Sequence, residues 1–212
     1  ARANSTYYNI FEIVKNSDNT SDILYSTSRT APTVPSGYTL VAWIGRIRTD
    51  ASGNIDQNQY AIKTNFGQLH VYKNGAYSTT TSQIPFDDTI PQNTEGAEFM
   101  ATNFQPLKAN SKIEIQVSAY LFGSSQNTVL AATLFKNTAV DALAISAITS
   151  GVADTGGVVN LIYHDTQNST TAIDYKVRCG SSAAITTSFN GSSGVRKFGG
   201  IIPSSIIIKE YL

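Results

Sequence analysis

Apolar and polar residues alternate strictly over residues 112–120, which read "KIEIQVSAY". The apolar members lie on one side of an extended chain: Ile113, Ile115, Val117 and Ala119. Because successive side chains of a strand point to opposite faces, this period of two predicts a strand with one buried face and one wet face. The stretches "DYKVRC" (174–179) and "VVNLIYH" (158–164) repeat the pattern. The chain is therefore expected to fold from half-buried strands.

Residue usage and turn signals extend this expectation to the whole chain. Eleven Tyr and nine Phe accompany many Ile, Val and Thr, whereas Met occurs once, and this balance favours strands over helices. Turn-forming stretches such as "DASGN" and "KNGA" separate short strand candidates, which is typical of antiparallel sandwiches. We predict an all-β fold of two small antiparallel β-sandwich units.

The boundary between these units is placed in the stretch 78–92, which combines a Ser/Thr tract, two prolines and the first two residues of an acidic cluster, Asp87 and Asp88. Proline cannot donate a ladder hydrogen bond in a central strand, so this stretch is expected to interrupt a sheet. The predicted domains are residues 1–80 and 81–212. The Ala-rich segment 138–149 is the one serious helix candidate, but it is short and uncapped, so we predict mostly strand and loop there.

Net charge limits the partners. Fifteen basic and fifteen acidic residues cancel, and no basic run is present, so the electrostatic signature of nucleic-acid binding is missing. No apolar stretch reaches the roughly 18 residues of a membrane span. The single Cys179 is expected to be a small buried apolar group rather than a nucleophile. Neither a nucleic-acid partner nor membrane insertion is expected.

Four carboxylates gather in "QIPFDDTIPQNTEGAEFM" (83–100): Asp87, Asp88, Glu95 and Glu98. Three uses are open, namely a solvated connector, a weak cation or subunit contact, and catalysis. The spacing of a calcium loop is absent, and nothing fixes the carboxyl separation that a glycosidase needs. The connector is favoured, with Asp87, Asp88 and Glu95 kept as candidate subunit-interface residues.

No other constellation predicts chemistry. His70 and His164 lack metal-ligand spacing, and "GSSG" (191–194) lacks the spacing of a nucleophile elbow. Nucleotide-binding loops are absent. We therefore expect no catalytic residue, no metal and no cofactor, and hence no enzyme. Sugar binding needs only an aromatic platform among polar neighbours, which makes Tyr60, Tyr72 and Tyr77 candidate glycan contacts, although aromatic residues more commonly fill strand faces.

An ordered series of segments over residues 79–212 resembles a module of tail-fibre and other virion-surface proteins of bacteriophages and prophages. The series runs from "IPFDDTIPQNTEGAEFM" through "PLKANSKIEIQV", "AATLFKNTAVDALA", "YKVRCGS" and "TSFNG" to "KFGGIIPSSIIIKEYL". The resemblance implies a C-terminal jelly-roll-like β domain that is commonly trimeric. The stretches "STYYNIFEIVKN" and "YAIKTNFGQLHVY" resemble a domain found just upstream in such proteins.

The last strand departs from that family pattern. Related modules tend to alternate Ile with Thr there, whereas Ile207 stands where a polar residue is expected. If Ile206 and Ile208 face the core, Ile207 faces outward, and an exposed apolar residue on a last strand favours contact with another chain. Ile207 is therefore expected near a threefold interface.

The resemblance implies a structural or receptor-binding protein of a bacteriophage virion: a tail-fibre tip, a head fibre or a capsid decoration. Its expected place is the virion surface after synthesis in the bacterial cytoplasm. The expected partners are two further copies in a homotrimer, other virion proteins and a host-surface glycan. Two alternatives stay open: the carbohydrate-binding portion of a polysaccharide-degrading tailspike, and a bacterial surface adhesin.

Overall fold

The computed structural model describes residues 3–64 and 67–212, and this part of the chain is built of strands joined by turns. The first strands are β1 (Tyr7–Lys15), β2 (Ser21–Ser26), β3 (Tyr38–Thr49), β4 (Ile55–Thr64), β5 (Gly67–Asn74), β6 (Ser78–Thr80), β7 (Ala97–Phe104) and β8 (Ser111–Gly123). They are followed by β9 (Thr128–Lys136), β10 (Ala144–Ser150), β11 (Thr155–Gln167), β12 (Ile173–Ser181), β13 (Thr187–Phe189), β14 (Gly191–Ser192), β15 (Val195–Arg196) and β16 (Ser204–Tyr211). One short 3₁₀ turn covers Phe198–Gly200. The all-β prediction is confirmed.

The chain divides into two compact units, Ala1–Val71 and Tyr72–Leu212. The boundary predicted from the sequence, between residues 80 and 81, lies nine residues after the boundary in the structure. The difference arises because β6 pairs with β13 and so belongs to the second unit. The acidic stretch 83–100 likewise lies inside the second unit rather than at a junction. Bridges between Gln83 and Ser181 and between Gln92 and Asp141 hold it there.

The first unit forms one sheet in its described residues, with strand order β2-β1-β3-β4-β5. β1 pairs antiparallel with both β2 and β3, and bulges interrupt the second pairing. Trp43 of β3 donates its indole N–H to Asn9, and the guanidinium of Arg29 lies over its ring at 4.4 Å. Two facing sheets were expected in this unit, and its described part shows a single one.

A buried basic pair lies in the same unit. Arg46 Nη2 is 3.4 Å from His70 Nδ1, and the guanidinium lies 4.4 Å above the Tyr7 ring. Burial, and then the charge of Arg46, lower the pKa of His70 from 6.5 to about 3. Burial also lowers the pKa of Arg46.

The second unit is a two-sheet sandwich. In one sheet β8 pairs with β11 along one edge and with β16 and β13 along the other, and β6 follows β13. The other sheet has the order β10-β9-β12-β7. The hydrophobic core combines inward residues of both sheets, including Ile115, Leu134, Val177 and Ile206. This arrangement agrees with the expected jelly-roll-like sandwich.

The alternating patterns are confirmed in this unit. Ile113, Ile115, Val117 and Ala119 are buried, and burial of the Cys179 thiol raises its pKa. β10 and the turn before it occupy the former helix candidate, as predicted.

Buried Glu210 ties the last strand to the start of β8. Its carboxylate accepts hydrogen bonds from the backbone N–H groups of Leu107 and Lys108 and from the Ser111 hydroxyl, at 2.6–3.2 Å. A charge that leaves water in this way needs such donors, because an unpaired buried carboxylate is strongly unfavourable. Glu210 thereby fixes the segment that leads into β8.

Candidate assembly surfaces

The outward side of β11, β8 and β16 carries a row of three paired residues, with an isoleucine at each end and a glutamine between them. Gln116 pairs with Ile162 of β11 on one side and with Ile207 of β16 on the other. Ile162 is 62% exposed, and Ile207 is partly exposed. We call this surface the assembly face and define it by Ile162, Gln116, Ile207, Ser118, Asn160 and Ser205. Its placement follows from strand alternation, because the neighbours Ile206 and Ile208 are buried.

Polar groups flank the row on both sides. Ser118 Oγ donates to Asn160 Oδ1 at 2.9 Å on one side. On the other side Glu114 accepts from Lys209 Nζ at 3.0 Å and lies 3.5 Å from His164 Nε2. The hydrogen bond from Lys209 is the main reason that the pKa of Glu114 is lowered. A cavity of about 410 Å³ lies over the row and is lined by residues of all three strands.

The acidic stretch forms a second surface on the opposite sheet. A cavity of about 220 Å³ is lined by Phe86, Asp87 and neighbouring residues of the stretch, and by residues of β9 and β10, including Ile145. We call it the acidic groove and define it by its lining residues Ile84, Pro85, Phe86, Asp87, Thr89, Pro91, Val129, Ala131 and Ile145–Ala147, with Asp88 next to them in the chain. Phe86 is 77% exposed at its rim.

The three acidic candidates have different roles in the structure. Asp87 accepts from the backbone N–H and hydroxyl of Thr89, so it shapes its own turn. Glu95 accepts from the backbone N–H of Gln92, and its peptide carbonyl accepts from Arg178 Nε at 2.7 Å. Within the described residues neither Asp87 nor Asp88 has an ion-pair partner. Sequence reasoning missed Arg178, whose partners are backbone carbonyls that no motif marks.

The three tyrosine candidates lie in different parts of the fold. Tyr60 lies on β4 of the first unit, and Tyr72 packs against the core of the second. The Tyr77 ring lies against Gly191, where an added Cβ would be 2.5 Å from it. Glycan contact by these residues stays a prediction.

Ile207 faces outward, as the alternation predicted, and its contact with another chain stays a prediction. The residues that sequence reasoning missed here are Ile162 and Asn160. Their signal was present in the alternation of "VVNLIYH", whose outward members were not considered as a surface.

The described residues provide neither a metal-ligand cluster nor a membrane-spanning helix. In residues 3–64 and 67–212, no three His, Cys, Asp or Glu side chains cluster in a way that could hold a metal ion. Over those residues, no helix has the length and apolar character to cross a membrane.

No protein-family model matches the chain, and no curated protein matches it. Among solved structures, Eiger TNF from S. frugiperda is similar at 13% identity and a TM-score of 0.39, covering 69% of this chain and 92% of its own. The VP2 subviral particle of infectious bursal disease virus is similar at 11% identity and a TM-score of 0.34. That match covers 99% of this chain but only 58% of the VP2 chain.

The T13 viral particle of infectious bursal disease virus is similar at 13% identity and a TM-score of 0.32, over 96% of this chain and 54% of that one. These low TM-scores carry no argument about function. A function for this chain must therefore be inferred from the assembly face, the acidic groove and the residues around them.

Proposed function

We propose that this protein is a structural subunit of a bacteriophage virion surface that assembles as a homotrimer through the assembly face. The observation that carries the proposal is the row of Ile162, Gln116 and Ile207, which a β-sandwich presents to water. The two isoleucines stand on either side of Gln116, and such exposed apolar side chains gain free energy when a second surface covers them. The sequence resemblance to phage fibre modules supplies the biological setting.

The polar residues at the margins of the assembly face favour a specific interface over non-specific hydrophobic association. The Ser118 and Asn160 pair on one side and the Glu114, Lys209 and His164 group on the other form a hydrogen-bonded rim. Apolar side chains surrounded by a polar rim are usual in a specific protein interface. A closed ring of three copies would bury the row three times and leave the loops at the ends of the sandwich free.

In this proposal the protein binds and decorates rather than catalyses. It would attach the particle to a host-surface glycan or cover the particle, next to other virion proteins. Trimerisation would multiply weak glycan contacts by avidity, since the second and third contacts become intramolecular. Incubation with capsule or lipopolysaccharide is expected to release no oligosaccharide, and released oligosaccharide would support the tailspike alternative instead.

The assembly test compares the wild type with Ile207→Lys and Ile162→Lys by sedimentation velocity and light scattering. The wild type is expected at three times the chain mass, and each variant at the mass of one chain. Ile23→Lys is the matched control, because Ile23 is an exposed isoleucine on β2 of the first unit and lies outside the assembly face. A monomeric wild type, or trimeric variants at Ile207 and Ile162, would contradict the proposal.

The virion location needs a separate experiment. Gold-labelled antibody against the protein should decorate intact phage particles in electron micrographs, on the tail or on the head. Absence of label from particles, with label on bacterial cell surfaces, would favour the adhesin alternative.

A further inference from the structure

A second pair of surfaces on the sandwich unit is complementary in both charge and apolar character. The segment Val195–Ile201 exposes three large apolar side chains, Val195 at 53%, Phe198 at 75% and Ile201 at 81%. Arg196 and Lys197 lie between Val195 and Phe198, and neither has an ion-pair partner among the described residues. We call this segment the basic loop. Side chains of this type are usually covered, either by the same chain or by another.

The basic loop is shaped internally. The N–H of Gly200 donates to the Lys197 carbonyl at 2.9 Å, and that of Ile201 donates to Phe198 at 3.2 Å. The Arg196 side chain lies over Gly200, at a distance where any Cβ on residue 200 would collide with it. Phe198 has a positive φ of 48°, which a bulky aromatic residue adopts only when its surroundings impose it. The turn therefore holds Phe198 outward beside two cations.

The acidic groove carries negative charge where the basic loop carries positive charge, and both surfaces expose apolar side chains. Its floor consists of Ile84, Val129, Ala131 and Ile145, and the exposed Phe86 ring stands at its rim. Asp87 and Asp88 are exposed next to that ring and have no cation beside them in the described part of the chain. A matching occupant would present an aromatic or aliphatic side chain next to two positive charges.

We propose that the basic loop of one copy of this chain docks in the acidic groove of a neighbouring copy. Phe198 and Ile201 would cover the apolar floor, and Arg196 and Lys197 would meet Asp87 and Asp88. Charge complementarity and exposed apolar surface on both partners point to a second copy, because the chain itself carries the two halves. Contacts of this kind join different surfaces of the two copies, so they must close into a ring or continue as a filament.

The inference rests on the proposed homotrimer, in which the contact would occur three times around the ring. It assigns a partner to the acidic stretch and a role to the basic loop. The assembly face and the docked loop would then stabilise the same ring from two separate surfaces, one mainly apolar and one with paired charges.

The first test reverses the charges. Asp87→Lys/Asp88→Lys and Arg196→Glu/Lys197→Glu should each raise the dissociation constant of the trimer at least about tenfold at low salt, because attraction at each contact becomes repulsion. The quadruple variant carries both reversals, and it should return to within about threefold of the wild type if the same charges meet. Asp22→Lys/Lys63→Glu reverses exposed charges of the first unit and should change nothing.

Far-UV circular dichroism of each variant establishes that its strands are intact. Failure of the quadruple variant to recover, with folded proteins throughout, would overturn the proposed pairing.

The second test uses the unmodified sequence. Unlabelled and ¹⁵N-labelled chains are refolded together, and carbodiimide then couples carboxylates to amines that touch. Mass spectrometry should find Lys197 joined to Asp87 or Asp88 in peptide pairs of mixed label, which prove a link between chains.

The outcomes separate the two proposals. A trimer with mixed-label links supports both the homotrimer and the docked loop. A trimer that lacks such links overturns the docked loop and leaves the homotrimer in place. A wild type that is monomeric at all concentrations overturns both, and links of uniform label alone show that the loop reaches the groove of its own chain.

Discussion

His70 should make the first unit sensitive to acid. It lies fully buried beside Arg46, where burial and the neighbouring charge lower its pKa to about 3. An unfolded chain exposes the same imidazole to water, where its pKa is about 6.5. Between these two values the unfolded state binds a proton that the folded state does not. The free energy of unfolding is therefore at its full value above about pH 6.5, and it decreases as the pH drops towards 3 because protonation favours the unfolded state.

The size of the effect is set by the two pKa values. Each pH unit in this window removes about 1.4 kcal/mol, so the loss between pH 6.5 and 4.5 is about 3 kcal/mol. That is a large fraction of the roughly 5–15 kcal/mol that stabilises an ordinary domain. His70→Gln abolishes the titration while its amide oxygen can still accept from Arg46. The variant is expected to lose less stability on acidification, whatever its stability at pH 7.

The assay is urea unfolding at four pH values between 4.5 and 7.5, followed by tryptophan emission. Trp43 is the single tryptophan, and it lies in the same unit as His70, so its emission reports on that unit. His164→Gln is the control, because it removes the other histidine, which is exposed in the second unit. Equal pH dependence in the wild type and His70→Gln would refute the reasoning. Carboxylates that titrate in this range affect both proteins alike and cancel in the comparison.

Three further predictions concern the sandwich unit. Glu210→Gln turns an amide N–H₂ towards backbone donors and should lower the free energy of unfolding by about 2–4 kcal/mol in urea titrations, whereas a loss below about 0.5 kcal/mol would contradict the anchoring role. Cys179 should react with a thiol reagent only as fast as the unit opens, because burial excludes the reagent and raises the thiol pKa; rapid labelling of folded protein would disprove its burial. Gly96→Ala should cost about 1–3 kcal/mol, since φ is +60° and the new Cβ would lie 2.8 Å from the Cys179 carbonyl oxygen; an unchanged thermal midpoint would show that the turn can relax.

The strand content of this chain was predictable because most strands of the sandwich bury only one face, which leaves an alternation of apolar and polar residues in the sequence. Ile113, Ile115 and Val117 occupy every second position, and the structure buries all three. Ile207 was placed outward by the same rule. In β9, whose apolar residues are continuous rather than alternating, most residues are buried. Local alternation fixes which face of a strand is buried, and here it was sufficient.

Pairings between distant segments were beyond this reasoning. The acidic stretch contains prolines and turn residues, which favoured a junction, but bridges to Ser181 and Asp141 place it within the second unit. Its role depends on residues about fifty and a hundred positions away, and no local pattern encodes such contacts. The assembly face was foreseen only at Ile207, because its other members become neighbours through the register of β11 against β8.

The pairing of β16 with β8 also sets the order in which the sandwich can be completed. β8 is synthesised well before β16, yet part of its edge is occupied by Ser205–Tyr211 of that last strand. Until β16 has been synthesised, Ile113, Ile115 and Val117 lie in a strand with an open edge, which can pair with any other extended segment. Nascent chains are therefore most exposed to misassembly in this interval. Removing Ser204–Tyr211 would make that transient state permanent.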